Sequence, residues 1–364
     1  MLSPLPPELK YADRALHRLE AGIALLSRCQ PTNAANEQQR VLERWRAGVK
    51  AAPEWRYAAT PNLTPLRHEL AAALVGLPQE DAIGQLYRDR AAELELETRL
   101  VEAIGTRDMP RLSGHRFGVH LARIWRDLAG SWADIAVEPA TQWIVSDDRR
   151  NPSSLIVRMS RVVGELKLPI AVKLSDTLQA AAATGQALIL VAEGRRLTAM
   201  ATERVVVHEV FGHALPRYRA QGERLGLFAT GSAGGNDEQE GYALLLEERR
   251  QLMCSVRKRE LGLRHLAGLS VHDGADWVQT LSLLMARGAE LEEGAQIASR
   301  VHRAGGLARE VVYLPAWARV RAALSAEPEL EEWLKRGRLS LYAISQLRGR
   351  YALLPQPNSA ITGT

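Results

Sequence analysis

Apolar positions along this chain recur mostly at helical spacing. Leu16, Leu19, Ile23 and Leu26 fall on one face, and residues 37–49 form a second such segment, with Pro31 and Pro53 as punctuation. Residues 66–75 and 81–104 read as two more helices. On the latter, Arg88, Arg90, Glu93, Glu95 and Glu97 make a polar face that reads as solvated. Strand-like runs are few: residues 143–145 and 155–158, around the turn-rich 147–152, and 188–191. Residues 161–164 and 175–184 read as helix between them. Helical spacing then dominates, over 198–215, 243–263, 276–285, 293–304, 314–324 and 330–336, with a last helix after the break at 337–340. The pattern predicts an α+β chain, mostly helical, with a small sheet beside one apolar helix and helical regions on either flank. A helical N-terminal region over 1–135 and a region over 136–355 form one compact domain, and 356–364 is a disordered tail.

The helix that follows 188–191 carries the chemistry. Thr198 is placed to cap it, Val205, Val206 and Val207 make its apolar run, and Pro216 is expected to end it. Within it stands His208-Glu209-Val210-Phe211-Gly212-His213. The familiar zinc motif spaces its histidines four apart, on one face; here they are five apart. Five residues turn a regular helix by roughly 500°, leaving the two side chains about 140° apart. One extra residue looped out as a π-bulge closes that gap, and Gly212 makes the distortion cheap. Glu209 points about 100° away from His208, which suits it to take a proton from metal-bound water rather than to bind the metal. A third ligand must come from elsewhere, and Glu240, before Gly241 and at the start of a helix over 242–253, is the choice. Glu247 lies two turns further on the same face, placed to hydrogen-bond a ligating histidine. A lone histidine would read as a core or surface residue. Two imidazoles, a carboxylate ligand, an open position and a second, free carboxylate are what one catalytic Zn²⁺ requires.

Two other features carry less. His115 and His120 are also five apart, but with no acid beside them they read as packing residues. Residues 221–237 hold five glycines directly before Glu240, which suggests mobility and either a gate for substrate or a plain connector.

On these residues the chain resembles the QEGLA-motif family, which includes the tubulin tyrosine carboxypeptidases of animals and bacterial members. The family's H-E-x-x-x-H corresponds to His208–His213, and its glutamate-glycine motif to Gln239-Glu240-Gly241-Tyr242-Ala243. The similarity runs from about Leu25 to Leu353. It takes in Pro31-Thr32-Asn33, Ala52-Pro53-Glu54-Trp55-Arg56-Tyr57 and Arg300-Val301-His302-Arg303-Ala304-Gly305-Gly306. Tyr242 replaces the motif's leucine, a packing change, and Glu238 stands where threonine is common, adding charge near the metal. The resemblance implies Zn²⁺ held by His208, His213 and Glu240, Glu209 as catalytic acid and base, and a peptide or protein C-terminus as substrate. In the C-terminal motif Tyr313 is a candidate donor to the oxyanion. Arg300 and Arg303 are candidates for the substrate's terminal carboxylate, against plain ion pairing with Glu292, Glu293 or Glu310. The H-E-x-x-G-H spelling also matches dipeptidyl peptidase III, a much longer chain with a different glutamate motif.

Composition narrows the remaining classes. Of the 364 residues, 46% are hydrophobic and 24% charged, as in ordinary globular proteins. No apolar run approaches the ~20 residues of a membrane span. The first residues lack the basic head and apolar run of a signal peptide, so a cytoplasmic protein is expected. Two cysteines, Cys29 and Cys254, fit a reducing compartment as small apolar residues. The net charge is +5, and only six of the 47 basic residues are lysine. Basic residues alternate with acids and form no aromatic-interleaved stripe, which argues against nucleic acid and for an acidic peptide partner. The sequence therefore points to a zinc metallocarboxypeptidase. A zinc endopeptidase or aminopeptidase and a non-catalytic zinc-binding regulator are the alternatives.

Overall fold

The structure, a computed structural model, describes residues 5–78, 80–118 and 122–355. His120 and the 356–364 tail lie outside the described residues. The chain is mostly helical, as the spacing predicts. The helices Pro7–Ile23, Ala34–Arg46, Thr64–Val75 and Ala82–Glu102 open it, and Trp277–Ala286, Leu291–His302, Tyr313–Ala326 and Leu341–Leu347 are among those that close it. One large apolar core joins both sets, from Leu9, Leu16 and Leu94 to Leu263, Val311 and Ile344. A second, smaller core lies under the sheet and takes in Leu155, Met159, Ile189, Val206 and Val210. Among the described residues no helix is long and apolar enough to cross a membrane.

The strands are β1 (Ile144–Val145), β2 (Ala171–Ser175), β3 (Ala182–Thr184), β4 (Leu188–Ala192) and β5 (Arg196–Leu197). β1 pairs antiparallel with β5, while β4 lies between a parallel β2 and an antiparallel β3. Two short expectations fail here. Residues 155–158 are not a strand; they open the helix Leu155–Glu165, whose buried residues Leu155, Ile156, Met159, Val162 and Val163 keep helical spacing. Three apolar residues in a row cannot separate a strand from a buried helix turn. Residues 175–184 are not a helix: Ser175 ends β2, and Ala182–Thr184 pairs with β4. There sheet pairing overrides alanine's weak preference for helix.

The polar face of the helix Ala82–Glu102 is not solvated either. Arg90 is fully buried and paired with Glu20 and Glu93. Arg116 joins Glu93 at 2.8 Å, Glu97 at 3.2 Å and Asp237 at 2.9 Å, and Arg338 grips Glu20 at 2.5 and 3.0 Å. The charges pair with one another across five segments that sequence spacing cannot bring together.

His302, at the end of the helix Leu291–His302, bonds Thr280 Oγ1 at 2.8 Å, and burial pulls its pKa down to about 4. An unfolded histidine titrates near 6.5, so the unfolded chain binds the extra proton first as pH falls. Stability should therefore decline as pH drops from about 6.5 towards 4. Between pH 7 and pH 5 this one group costs roughly 2 kcal/mol. Urea denaturation at both values should show His302→Gln losing less stability than the parent by about that amount.

Candidate metal centre

Thr198 caps the helix Ala199–Val206, its hydroxyl accepting from the Ala201 amide at 3.1 Å. The helix then widens into the π-helical segment Val207–Ala214, the distortion the five-residue spacing calls for. It brings the imidazoles of His208 and His213 to 4.9 Å between ring centres. Pro216 does not end the run. It sits in the first turn of the following segment Leu215–Ala220, where a missing amide donor is tolerated. Gly212 serves packing more than backbone freedom, since a methyl there would lie 2.5 Å from Ala243 Cβ.

Glu240 does not open its helix. The helix starts seven residues earlier than expected, running Gly235–Arg249, so Glu240 is in its second turn. Gly234, in the left-handed region at φ 72°, turns the chain into it, and Asp237 and Glu238 favour its N-terminal end. The expected helix 243–263 is accordingly two, with a break after Arg249 and a restart at Ser255–His272. Two of the glycines before it, Gly226 and Gly235, sit where there is no room for a side chain. Cβ atoms at Gly226 or Gly235 would overlap Asp13 or the Arg338 carbonyl, and Leu225, Leu227, Phe228 and Ser232 are buried. Gly241 lets the helix Tyr313–Ala326 cross at backbone contact, with no room for a Cβ beside the Ala316 carbonyl. Gly241→Ala should cost about 3 kcal/mol by overpacking against backbone that cannot yield, read by urea denaturation.

The three candidate ligands converge. Glu240 Oε2 lies 3.3 Å from His208 Nε2 and 3.5 Å from His213 Nε2, and one ligand atom from each residue falls within 4.8 Å of the others. Glu240 Oε2 is buried and makes no hydrogen bond, while Oε1 receives Arg309 at 3.2 and 3.3 Å. His208 Nδ1 meets Glu247 Oε1 at 2.7 Å, which leaves Nε2 facing the centre. Glu247 is fully buried and clamped by Arg257 at 2.8 and 2.9 Å. Burial would raise Glu247; Arg257 and His208 outweigh it and hold its pKa at about 2. Burial would likewise lower His208, but Glu240 and Glu247 lift it to about 9. Glu240 is held well below the usual carboxylate range: burial opposes this, and His213 and Arg309 prevail.

Glu209 lies beside the triad without joining it. Its Oε2 accepts from Thr184 Oγ1 at 2.7 Å, which ties it to β3. All four residues line a cleft of about 1280 Å³. Tyr313, Arg300 and Arg303 line it as well. Tyr313 sits under the Arg264 guanidinium, 4.6 Å from the ring centre, and burial, with Glu240 and Glu310 nearby, raises its pKa and keeps it a phenol. Arg300 is committed to Glu310 at 2.6 Å, the ion-pairing alternative. Arg303 is buried and, among the described residues, has no carboxylate partner and no hydrogen bond at its Nε; burial lowers its pKa to about 10. Glu238 adds no charge at the triad, being spent on Arg319 at 3.2 Å and the Leu341 amide at 2.5 Å. Tyr242 is packed in the core and reaches Glu331 at 3.1 Å. His115 belongs to no metal-capable group among the described residues. Sequence reasoning missed Thr184, Arg257 and Arg309; each reaches the site through a fold contact that no local motif announces.

The model of the microtubule-associated tyrosine carboxypeptidase family matches residues 45–353, most of the chain. The chain belongs to that family. In this member of the microtubule-associated tyrosine carboxypeptidase family both histidines, Glu209, Glu240 and Glu247 fall inside the matched range. No curated protein matches the sequence. A solved structure described as "BsuCP Crystal Structure" is similar over 93% of this chain and 90% of its own, at 11% identity and a TM-score of 0.37, too loose a likeness to carry an argument.

Proposed function

We propose that this protein is a zinc-dependent carboxypeptidase that removes C-terminal residues from a peptide or protein. The observation that carries the reading is the spacing at Glu240 Oε2. Two ligands each about 2.0–2.1 Å from a tetrahedral zinc lie about 3.3–3.4 Å apart, and the distances to His208 Nε2 and His213 Nε2 are 3.3 and 3.5 Å. The buried Glu240 oxygen without a hydrogen bond fits a donor set awaiting a cation. His208, His213 and Glu240 would hold the ion, with Glu247 orienting His208. Zinc bound there would act as Lewis acid towards the scissile carbonyl and lower the pKa of water.

The chain's own residues supply the rest. Glu209, held by the Thr184 hydroxyl, takes the proton of the attacking water and hands it to the leaving amine. Tyr313, kept as a phenol, donates to the oxygen of the tetrahedral intermediate. Arg303, a guanidinium without a carboxylate partner among the described residues, receives the substrate's terminal carboxylate; Arg300, already paired, steadies Glu310. The test compares peptides with free and amidated C-termini. Cleavage of the free acids alone is the expected result. Equal cleavage of both would make the enzyme an endopeptidase or aminopeptidase.

A further inference from the structure

A second cavity, of about 420 Å³, lies outside the cleft and shares no lining residue with it. The end of the helix Arg123–Ala133, the break between Gly235–Arg249 and Ser255–His272, and the helix Tyr313–Ala326 frame it. Its wall is aromatic: Trp132 and Trp317 meet at 5.5 Å between ring centres, tilted by 57°, and Met253 adds a thioether. Its charges do not balance. Arg321 and Glu248 pair at 3.5 Å, and Glu248 also accepts from Trp317 Nε1 at 2.9 Å. Lys258, 5.9 Å from the centre of the Trp132 ring, meets no carboxylate among the described residues, and Trp132 Nε1 makes no hydrogen bond among them. The bend at the rim points the same way. The amides of Gln251 and Leu252 fold back on the carbonyls of Glu248 and Glu247 at 2.9 and 2.8 Å and end the helix. At that bend, where glycine is the common choice, stands Gln251 at φ 59°, and it lines the cavity. A side chain kept in the left-handed region against its cost is a feature that gathers at ligand sites.

We propose that this cavity binds a small aromatic carboxylate, one planar ring carrying a single negative charge. The two indoles offer face and edge to such a ring. The Lys258 ammonium and the Trp132 N–H supply donors for the acid group. A cationic ligand fits worse, because Glu248 is already engaged twice and Lys258 and Arg321 would repel it. The volume is near the low end for small-molecule sites and suits a ring with a short arm. Glu248 and Lys258 directly follow Glu247 and Arg257, the pair that holds His208. The occupant would thus stand against the helices that carry the metal centre, on another face. The site goes beyond the carboxypeptidase reading and does not depend on it.

Calorimetry on the full chain tests this with phenylacetate and indole-3-acetate against phenethylamine, which has the ring and the opposite charge. Both acids should bind roughly tenfold more tightly than the amine. Lys258→Gln should weaken phenylacetate roughly tenfold, and Lys258→Glu should turn the preference towards the amine. Trp132→Ala should weaken both acids by at least as much as Lys258→Gln. Arg303→Gln, a change in the cleft, should leave their affinity as in the parent. Equal affinity for acid and amine in the parent overturns the site and needs no variant that might misfold. So does the absence of saturable binding of either acid up to about 10 mM. Affinity unchanged in both Lys258→Gln and Trp132→Ala overturns it too. Binding lost in Arg303→Gln and kept in Trp132→Ala would put the ring in the cleft and end the proposal. None of these readouts involves cleavage, so the peptide assay decides the carboxypeptidase reading separately.

Discussion

Glu209→Gln should lower kcat by a factor of about 10²–10⁴, the span that a positioned general acid–base group contributes, while the protein still binds one zinc per chain. The amide keeps the size of the side chain and can still meet the Thr184 hydroxyl, now 2.7 Å from Glu209 Oε2. It cannot take a proton from water. Because Glu209 stands outside the group formed by His208, His213 and Glu240, metal content should not change. Steady-state kinetics beside atomic absorption separates the two readouts. Turnover within a few-fold of the parent would remove Glu209 from the chemistry and place the general base elsewhere.

Glu240→Gln should do the opposite and take the metal with it. Its Oε2 is the oxygen common to both imidazole contacts, and an amide is a poor zinc ligand. Loss of a supporting partner of a ligand weakens metal binding roughly 10–100-fold, and loss of the ligand itself should exceed that. Competition with a chromophoric chelator measures it. Arg309, at 3.2 Å from Glu240 Oε1, would at the same time lose its strongest carboxylate, so a fall in thermal stability should accompany the loss of zinc. Full zinc occupancy in this variant would place the third ligand elsewhere.

The legible part of the site was the part written in short-range spacing. Histidines five apart cannot share a metal on a regular helix, so the π-helical widening at Val207–Ala214 follows from the sequence and ordinary helix geometry. Glu240 and Glu247 stand seven apart on one helix, and both reach His208 as that spacing allows. What spacing could not give were contacts between distant segments. Thr184 sits in an alanine-rich stretch that reads as helix and becomes β3 only because β4 is there to pair with it. Arg90 and Glu97 carry the charge of a solvated face and are buried because Glu20, Arg116 and Asp237 arrive from other elements. What separates Arg300 from Arg303 is Glu310, ten residues from one and seven from the other, which pairs with Arg300 and leaves Arg303 without a carboxylate among the described residues.

That chain of buried charges has a consequence for how the molecule can be shortened. Glu20 on the first helix holds Arg338 and Arg90, and Arg116 holds Asp237, one turn ahead of Glu240. The opening seventeen-residue helix, Pro7–Ile23, therefore works as a keystone for a candidate ligand more than two hundred positions away. Cutting the chain back to its second half would leave Arg338 without Glu20 and Asp237 without Arg116 in the interior, and such a fragment should bind a metal ion more weakly than the whole chain although all three candidate ligands are intact.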